Sequence, residues 1–310
     1  MSEAPLISVG ILSYNRPDTI GAAIEGIISQ TYQNLEILIA DNASPDPRVD
    51  AIIRSYAERD ARIQYTRHKE NGGPYYNGSF LRNSYSGQYY LHASDDDVYY
   101  PTFIEKMYAL HQQGDYALAA AQPECYDMHS GRRFDNIRIP DGFFQGTREE
   151  NFFQFLTLHH WYRLKGPTLL WGLYKRSAEP DPNDHVFGLL KSDVDNFGTD
   201  MSWVLHTIAH GNVIFSPEVL WLRQERFYWG PGHEPWMRTP YESFKYALKK
   251  NYKFLRYYMR FLPGKDKKFL VSCDIYFMII NKLVEMYGFD KSRAEAILRE
   301  HRKELICLLT

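Results

Sequence analysis

The 310-residue sequence is poor in cysteine, has no long apolar run and carries no excess of basic charge, and each absence excludes a class of protein. Its three cysteines, Cys125, Cys273 and Cys307, are odd in number and widely spaced, which excludes a disulfide framework and a zinc knuckle. The net charge of −2 argues against a general nucleic-acid binder. No stretch reaches the roughly 18 uninterrupted apolar residues of a membrane-spanning helix, and the N-terminus lacks the basic start of a signal peptide. We therefore expect a cytoplasmic protein, either soluble or peripheral on the inner face of a membrane.

Several phosphate-binding and catalytic signatures are also absent. The sequence has neither a Gly-rich loop ending in Lys-Ser/Thr nor a G-x-G-x-x-G motif after the first apolar run. It lacks the serine-hydrolase elbow and a Cys-His signature. His206 and His210 have the i, i+4 spacing that zinc can use, but no acidic residue lies between them and their apolar neighbours predict a structural role. The charge of a bound phosphate would therefore have to be met by a metal ion and basic side chains.

The first 120 residues alternate between strand and helix patterns. Apolar runs predict strands at 6–12, 35–40, 63–66 and 88–93, and apolar residues at helical spacing predict helices between them and after Pro101. This alternation predicts an α/β fold whose mostly parallel sheet is covered by helices on both faces. The middle of the chain, about 115–235, has irregular patterns, and the tail is predicted to be helical.

Polar residues follow the predicted strands at 13–15, 41–42 and 94–97, where ligands bind in sheets of this kind. The three consecutive aspartates in the last segment repel one another, so the arrangement favours a compensating cation or hydrogen-bond donor. Their hard oxygen atoms suit Mg²⁺ or Mn²⁺, which commonly bridge carboxylates to a diphosphate. A solvated turn that caps the helix after Pro101 is the alternative.

A series of short motifs occurs in a fixed order: Ser-Tyr-Asn-Arg at 13–16, Ser-Gln-Thr-Tyr-Gln-Asn-Leu-Glu-Ile at 29–37, Asp-Asn-Ala-Ser at 41–44, Asn-Gly-Gly at 71–73, Leu-Arg-Asn at 81–83, and Ser-Asp-Asp-Asp at 94–97 followed by Pro101. This series resembles the start of the family-2 glycosyltransferases of the GT-A fold. The resemblance is dense over about 5–125, looser at 166–176 and 198–223, and ends by Arg238.

The resemblance implies a Rossmann-like, mostly parallel sheet with flanking helices and an enzyme that transfers a sugar with inversion. The donor would be a UDP-sugar or another nucleoside diphosphate sugar, and the acceptor a saccharide or lipid-linked hydroxyl in cell-surface polysaccharide or glycoconjugate synthesis. Residues 1–125 would form the nucleotide-sugar half, 126–238 the half with the acceptor site and catalytic base, and 239–310 a helical C-terminal extension.

The resemblance also implies roles for individual residues. The nucleotide would be held by eight of them: Ser13, Tyr14, Asn15, Asp41, Asn71, Gly72, Arg82 and Asp95. Mn²⁺ or Mg²⁺ would bind Asp96, with Asp97, Glu225 or His233 as further candidate ligands. Many members of the family carry an Asp where this chain has Ser94, so Asp95 would contact the ribose from the neighbouring position.

The general base is expected in the segment 198–203, which resembles the family segment that ends in the catalytic acid and begins a helix. Asp200 matches that acid, and Asp193 and Asp195 are the alternatives. Asp is also a common N-cap residue, so a purely structural role for Asp200 is the competing interpretation. Glu225 stands where relatives often have a His, and the sequence leaves open whether it or His233 joins the metal ion.

Two other functions compete with glycosyl transfer. A non-catalytic module that binds nucleotide sugars or carbohydrate would share the fold, whereas a sugar-nucleotide pyrophosphorylase would need a Gly-rich basic loop that residues 13–15 do not provide.

The tail from Thr239 onward has 15 basic and 8 acidic residues, against 21 and 30 before it. Basic and aromatic residues at helical spacing in 241–268 predict peripheral membrane contact, with packing on the catalytic domain as the alternative. The oligomeric state stays open.

Overall fold

The computed structural model describes residues 4–128, 168–178 and 211–225, and single positions at 131, 133–134, 139, 144–145, 151, 204, 207–208 and 292. The chain divides into two compact units, Met1–Gln154 with His160–Phe227 and Phe155–His159 with Tyr228–Thr310. Nearly all described residues belong to the first unit. The domain boundaries predicted at 125 and 238 and the helical tail stay predictions.

The described strands are β1 (Ile7–Ser13), β2 (Leu35–Asp41), β3 (Ile63–Arg67), β4 (Tyr89–Ser94), β5 (Val98–Tyr99), β6 (Tyr116–Asp127), β7 (Arg133–Phe134), β8 (Leu173–Lys175) and β9 (Asn212–Glu225). They form one mixed sheet in the order β3-β2-β1-β4-β8-β6-β9-β5, with β7 beside β6. Pairing is parallel between β1 and β2, β1 and β4, β2 and β3, and β6 and β9, and antiparallel for the other pairs.

Four α-helices are described from end to end, and each follows one of the predicted strands. They are α1 (Ile20–Ile28), α2 (Pro47–Ala57), α3 (Gly73–Ser84) and α4 (Phe103–His111). Two short 3₁₀ helices, Thr168–Trp171 and Arg176–Ala178, flank β8. The predicted α/β fold with a mostly parallel sheet is therefore confirmed.

The four predicted strands correspond to β1 to β4, and each ends one residue later than predicted. That extra residue is polar in every case, since the chain stays extended until it reaches the edge of the sheet. The long strands β6 and β9, by contrast, lie in the region predicted to be irregular, and they pair along most of their length with register shifts around Gln122. The prediction for this region was wrong at these two strands.

The core forms where α1 packs on the sheet. Ile20, Ile24 and Ile27 lie on one face of this helix and are fully buried, as are Val9 and Ile11 of β1. Burying one such side chain stabilises a fold by about 1.5–3 kcal/mol. The opposite face of β1 is covered so closely that a Cβ atom at Gly10 would lie 2.0 Å from the Tyr85 hydroxyl.

Gln30 ties the end of α1 to the start of α4. It is fully buried, and its Nε2 donates to the carbonyl oxygens of Gly26 and Tyr100, each at 2.8 Å. Its Oε1 accepts a hydrogen bond from the backbone N–H of Ile104 at 2.9 Å. This residue of the 29–37 motif therefore satisfies backbone groups at two helix ends, which is a structural role.

Among the helices that the structure describes, none combines the length and the hydropathy needed to span a bilayer. The segment 241–268, for which we predict peripheral membrane contact, lies outside the described residues.

Candidate active site

A cavity of about 490 Å³ opens at the carboxyl ends of β1, β2 and β4. Its walls come from five parts of the chain: the end of β1 with the loop after it, Asn42 after β2, the segment 71–82 that contains most of α3, the end of β4 with Asp95, and the 3₁₀ turn at Leu170 and Trp171. Parallel strands leave a crevice at this edge when their connections run in opposite directions. Here β2 and β4 flank β1 on opposite sides, so the crevice lies between the ends of β1 and β4.

The end of β1 and the loop after it bring an aromatic ring and a buried hydroxyl group to the cavity. Tyr14 is 44% exposed, which is unusual for a large side chain in this structure. Ser13 is buried, and its hydroxyl has no hydrogen-bond partner among the described residues. A buried polar group without a partner costs about 1–3 kcal/mol, so a ligand that bonded to Ser13 would remove that cost.

Two asparagines shape the neighbouring wall. The Asn42 side chain donates from Nδ2 to Asn71 Oδ1 at 2.7 Å, and its Oδ1 accepts from the Gly72 N–H at 3.1 Å. Asn71 Oδ1 also accepts from the N–H of Gly73, the first residue of α3. These bonds hold the loop before α3 against the end of β2, and both asparagines line the cavity.

Asp41 lies beneath the cavity rather than in its wall. Its side chain is fully buried and accepts hydrogen bonds from the N–H and the hydroxyl of Ser44, and Arg67 Nε lies 3.5 Å from Asp41 Oδ2. Ser44 in turn accepts from the N–H of Asn15, which adopts a left-handed conformation with φ of 53°. Asp41 and Asn15 therefore fix the shape of the two loops that carry the cavity residues.

The acidic segment lies next to the loop after β1, where Asp95 and Asp96 converge on the guanidinium group of Arg16. Arg16 Nη1 is 2.7 Å from Asp95 Oδ1 and 2.6 Å from Asp96 Oδ2. Asp95 also accepts from the Tyr14 N–H at 2.8 Å, and Asp96 accepts from the Ser94 hydroxyl. The two carboxylates raise the pKa of Arg16 even though burial opposes this shift.

Burial raises the pKa of Asp95 to about 6, and the neighbouring charge of Asp96 acts in the same direction. Arg16 and the Tyr14 N–H oppose this shift, because both favour the ionised carboxylate. Asp95 therefore binds its proton more tightly than an ordinary aspartate does. A carboxyl group with these properties in a cavity is typical of a functional site.

Asp97 is hydrogen-bonded to β9. Its Oδ1 accepts from the backbone N–H of Gln224 at 3.1 Å, and the strand β5 that follows pairs with β9 through Val98 and Leu222. Asp97 therefore joins the acidic segment to the end of β9. Glu225 is the last residue of that strand, and its side chain lies outside the described part.

A buried histidine lies on the inner wall of the cavity. His92 of β4 is 8% exposed, its Nδ1 lies 3.0 Å from the Tyr85 hydroxyl, and Arg82 of α3 lines the same cavity. Burial lowers the pKa of His92 to about 3, and the positive charge of Arg82 contributes in the same direction. The imidazole is therefore neutral at physiological pH.

Comparison with known proteins identifies the family of this chain. A model described as glycosyl transferase family 2 matches residues 8–168, which is just over half of the chain. The chain belongs to this family. An uncharacterized glycosyltransferase of Haemophilus influenzae is 31% identical over 119 residues, which are 38% of this chain and 36% of that protein. The chain thus matches about a third or less of the length of the curated relatives considered, since for a Rickettsia bellii glycosyltransferase the share is 14%.

Two solved structures share the fold. TarS of S. aureus in complex with UDP-GlcNAc has a TM-score of 0.59 at 14% identity, and the match covers 97% of this chain and 79% of TarS. The mannosyltransferase PcManGT from Pyrobaculum calidifontis, in complex with GDP-Man and Mn²⁺, has a TM-score of 0.51 at 13% identity, covering 98% and 81% of the two chains. The predicted family and the GT-A fold are thereby confirmed.

For this family-2 glycosyltransferase, the structure brings together most of the residues predicted for the nucleotide. Five of them line the cavity: Ser13, Tyr14, Asn71, Arg82 and Asp95. Asp41, Asn15 and Gly72 do not line the cavity, but they form hydrogen bonds within the loops that carry its lining residues. Asp96 pairs with Arg16, which lines the cavity. The predicted base Asp200, its alternatives Asp193 and Asp195, and His233 lie outside the described residues.

Several residues that line the cavity have no role predicted from the sequence, among them Arg16, Asn42, His92 and Trp171. Arg16 and Asn42 belong to the motifs at 13–16 and 41–44. The sequence therefore placed them near the ends of strands but did not show which residues they contact. His92 interrupts an apolar strand pattern, which is the one signal that could have singled it out.

The acidic segment suits a divalent cation in part. Within the described residues, no three His, Cys, Asp or Glu side chains are grouped closely enough to hold a metal ion. Asp95 and Asp96 nevertheless direct two carboxylate oxygens at a single nitrogen atom, so Arg16 stands where a cation would stand. Carboxylate oxygens are the ligands that Mg²⁺ and Mn²⁺ prefer, and both ions accept substrate phosphates as further ligands.

Proposed function

We propose that this protein transfers a sugar from a UDP-sugar, or another nucleoside diphosphate sugar, to an acceptor hydroxyl with inversion at the anomeric carbon. The observation that carries the proposal is the content of one cavity, which brings an exposed aromatic ring and a hydroxyl without a described partner together with two convergent carboxylates. A nucleoside diphosphate has groups complementary to these: an aromatic base, ribose hydroxyls and a charged diphosphate. The donors in the TarS and PcManGT structures, UDP-GlcNAc and GDP-Man, belong to this class.

The base would stack on Tyr14, because an exposed aromatic ring offers a flat apolar surface to another ring. The Ser13 hydroxyl and the amides of Asn42 and Asn71 would supply polar contacts around it. Asp95 would accept hydrogen bonds from the ribose hydroxyls, and Arg82 would face the diphosphate. Volumes of about 300–1,000 Å³ are typical of small-molecule sites, and the cavity of about 490 Å³ falls in this range.

Asp96 would hold a divalent cation, Mn²⁺ or Mg²⁺, as the residue resemblance implies. Such a cation, when bound, neutralises the diphosphate and so makes it a better leaving group. The Mn²⁺ in the PcManGT structure supports this proposal. Asp97 is a weaker candidate ligand because one of its oxygens bonds to the Gln224 N–H, and Glu225 or His233 would complete the set of protein ligands.

Asp200 would act as the general base, with Asp193 and Asp195 as alternatives. It would take the proton from the acceptor hydroxyl as that oxygen bonds to the anomeric carbon, while the bond from this carbon to the diphosphate oxygen breaks on the opposite face. The products are the glycosylated acceptor, the nucleoside diphosphate and a protonated base. We propose a saccharide or lipid-linked acceptor in cell-surface polysaccharide or glycoconjugate synthesis at the cytoplasmic face of the membrane.

Ligand-dependent thermal melting with UDP- and GDP-sugars, each with and without Mn²⁺, tests the donor class. A ligand at 100 times its Kd stabilises a folded protein by about 2.7 kcal/mol, which gives a clear shift in Tm. We expect UDP to raise Tm more strongly with Mn²⁺ than without it, and Asp96→Asn to remove the Mn²⁺-dependent part. Asp115→Asn is the matched control. The Asp115 side chain is 91% exposed, and the residue lies just before the start of β6, at the end of the sheet opposite to the cavity.

Transfer to an acceptor tests the enzymatic function itself. Asp200→Asn is expected to keep the UDP-dependent shift and to lower transfer by about 100-fold or more, since a general base acts in the transition state. Nearly normal transfer in this variant would move the base to Asp193 or Asp195. Nucleotide-sugar binding without any transfer by the wild type would instead identify a non-catalytic binding module.

A further inference from the structure

Arg16 occupies the position at which a divalent cation would meet the acidic segment. Its Nη1 atom lies within 2.7 Å of a carboxylate oxygen of both Asp95 and Asp96. The side chains of these aspartates are only 3% and 12% exposed, so water screens the attraction weakly. A guanidinium group does not lose its proton in a protein, so this positive charge is permanent.

The side chain of Arg16 can leave this position without unfolding the loop that carries it. The Arg16 carbonyl oxygen accepts from the N–H groups of Thr19 and Ile20 at 3.3 and 3.1 Å, which fixes the backbone at the start of α1. The side chain itself is 37% exposed and lines the cavity. A turn about its side-chain torsions would therefore bring the guanidinium from the carboxylates into the space where a diphosphate would lie.

We propose that Arg16 is the resident counter-cation of Asp95 and Asp96, and that a divalent cation replaces it only when a nucleoside diphosphate accepts the released guanidinium. This inference rests on the proposed function. A metal ion that arrives alone must break two short ion pairs and leave Arg16 without an anionic partner. A metal ion that arrives with a diphosphate breaks the same two ion pairs, but the released guanidinium then binds phosphate oxygens, which offsets the cost. Arg16 thus couples metal binding to nucleotide binding, and by linkage the coupling acts equally in both directions.

Mn²⁺ titration followed by electron paramagnetic resonance of the free ion tests the coupling without any measurement of activity. Wild type is expected to bind Mn²⁺ weakly alone and more tightly with UDP present. Arg16→Gln removes the competing charge, so we expect it to bind Mn²⁺ alone roughly tenfold or more tightly than wild type does, given the usual strength of hydrogen bonds to charged groups. UDP should then tighten Mn²⁺ binding by a smaller factor in this variant than in wild type.

Two further variants make the test specific. Arg16→Lys keeps the positive charge, and the conformation of the loop should be preserved with it. The lysine side chain is shorter and reaches the two carboxylates less well, so the Mn²⁺ affinity of this variant should fall between those of wild type and Arg16→Gln. Arg48→Gln removes an arginine of α2 whose side chain is 61% exposed and pairs with Asp18 and Asp46 outside the cavity. It should leave Mn²⁺ binding unchanged.

The outcomes separate this inference from the proposed function. UDP-coupled Mn²⁺ binding in wild type, together with an Arg16→Gln variant that binds Mn²⁺ alone no more tightly, would overturn the role of Arg16 and leave the metal site intact. If Arg16→Gln does not fold, an Arg16→Lys variant with the Mn²⁺ affinity of wild type overturns it equally. The absence of Mn²⁺ binding by wild type with UDP present would overturn both proposals.

Discussion

His92 should make the folded protein sensitive to acid. It is buried on β4 at the cavity wall, and its pKa is lowered to about 3, first by burial and then by the charge of Arg82. In the unfolded chain a histidine takes up its proton near pH 6.5. Between these two values the unfolded state binds more protons than the folded state, so the free energy of unfolding falls as the pH falls from about 6.5 toward 3.

The size of this loss follows from the two pKa values. The unfolded chain takes up a proton at His92 with a pKa of about 6.5, whereas the folded protein takes it up with a pKa of about 3. This difference lowers the free energy of unfolding by about 2 kcal/mol at pH 5 and by about 3 kcal/mol at pH 4. This is a large share of the 5–15 kcal/mol that is typical of a folded domain. Burial also lowers the pKa of His111, so the contribution of His92 has to be measured as a difference between variants.

Urea unfolding at pH 7 and pH 5 isolates the effect of His92. His92→Asn keeps a polar atom close to the Tyr85 hydroxyl but cannot titrate in this range, so it should lose about 2 kcal/mol less than wild type between the two pH values. Tyr85→Phe removes the partner of His92 Nδ1 but keeps the buried imidazole, and it should retain most of the wild-type pH dependence. Equal losses in wild type and His92→Asn would refute the claim that His92 stays neutral in the folded protein.

Three further substitutions test particular contacts. Gln30→Leu should lower the free energy of unfolding by about 3 kcal/mol or more in urea, because the buried backbone groups of Gly26, Tyr100 and Ile104 lose their partner. Asp97→Asn keeps an oxygen that can accept from the Gln224 N–H, so UDP binding with Mn²⁺ should survive in Asp97→Asn but weaken in Asp97→Ala. An equal loss of UDP affinity in both variants would indicate that the charge of Asp97 acts at the metal ion. Trp171→Ala should weaken binding of a UDP-sugar more than binding of UDP in calorimetric titrations, whereas Tyr14→Ala should weaken both alike.

Local sequence patterns predicted the first half of the sheet because each strand there is a short apolar run that ends at a polar residue. Leu35–Asp41 is an example, since it is buried at every position except Glu36 and stops where Asp41 accepts hydrogen bonds from Ser44. The strand β6 gave no such signal. Its run of alanines has weak strand preference and it contains Pro123, yet it is held between β8 and β9, and packing of this kind overrides local preference.

The candidate site could be predicted as a set of segments but not as a set of contacts. The motifs placed 13–16, 41–44 and 94–97 at one edge of the sheet, and the structure shows all three there. Which side chain in each motif faces the cavity depends on the turn that follows the strand. Asp41 turns back to bond with Ser44, so the next residue, Asn42, lines the cavity instead. Nor does a single sequence show that Arg16 meets carboxylates some 80 residues away.

The strand order determines how a donor would lie across the cavity. The end of β2, the end of β1 and the end of β4 follow one another along the sheet, and they carry Asn42, Tyr14 and Asp95 in that order. A base held near the first two places the diphosphate beside the acidic segment, because the ribose spans the distance between neighbouring strands, about 4.8 Å. The next strand is β8, and Trp171 precedes it at the wall of the cavity. A donor bound in this way would place its sugar on the Trp171 side, which is why we expect substitution of this residue to separate the affinity for a UDP-sugar from the affinity for UDP.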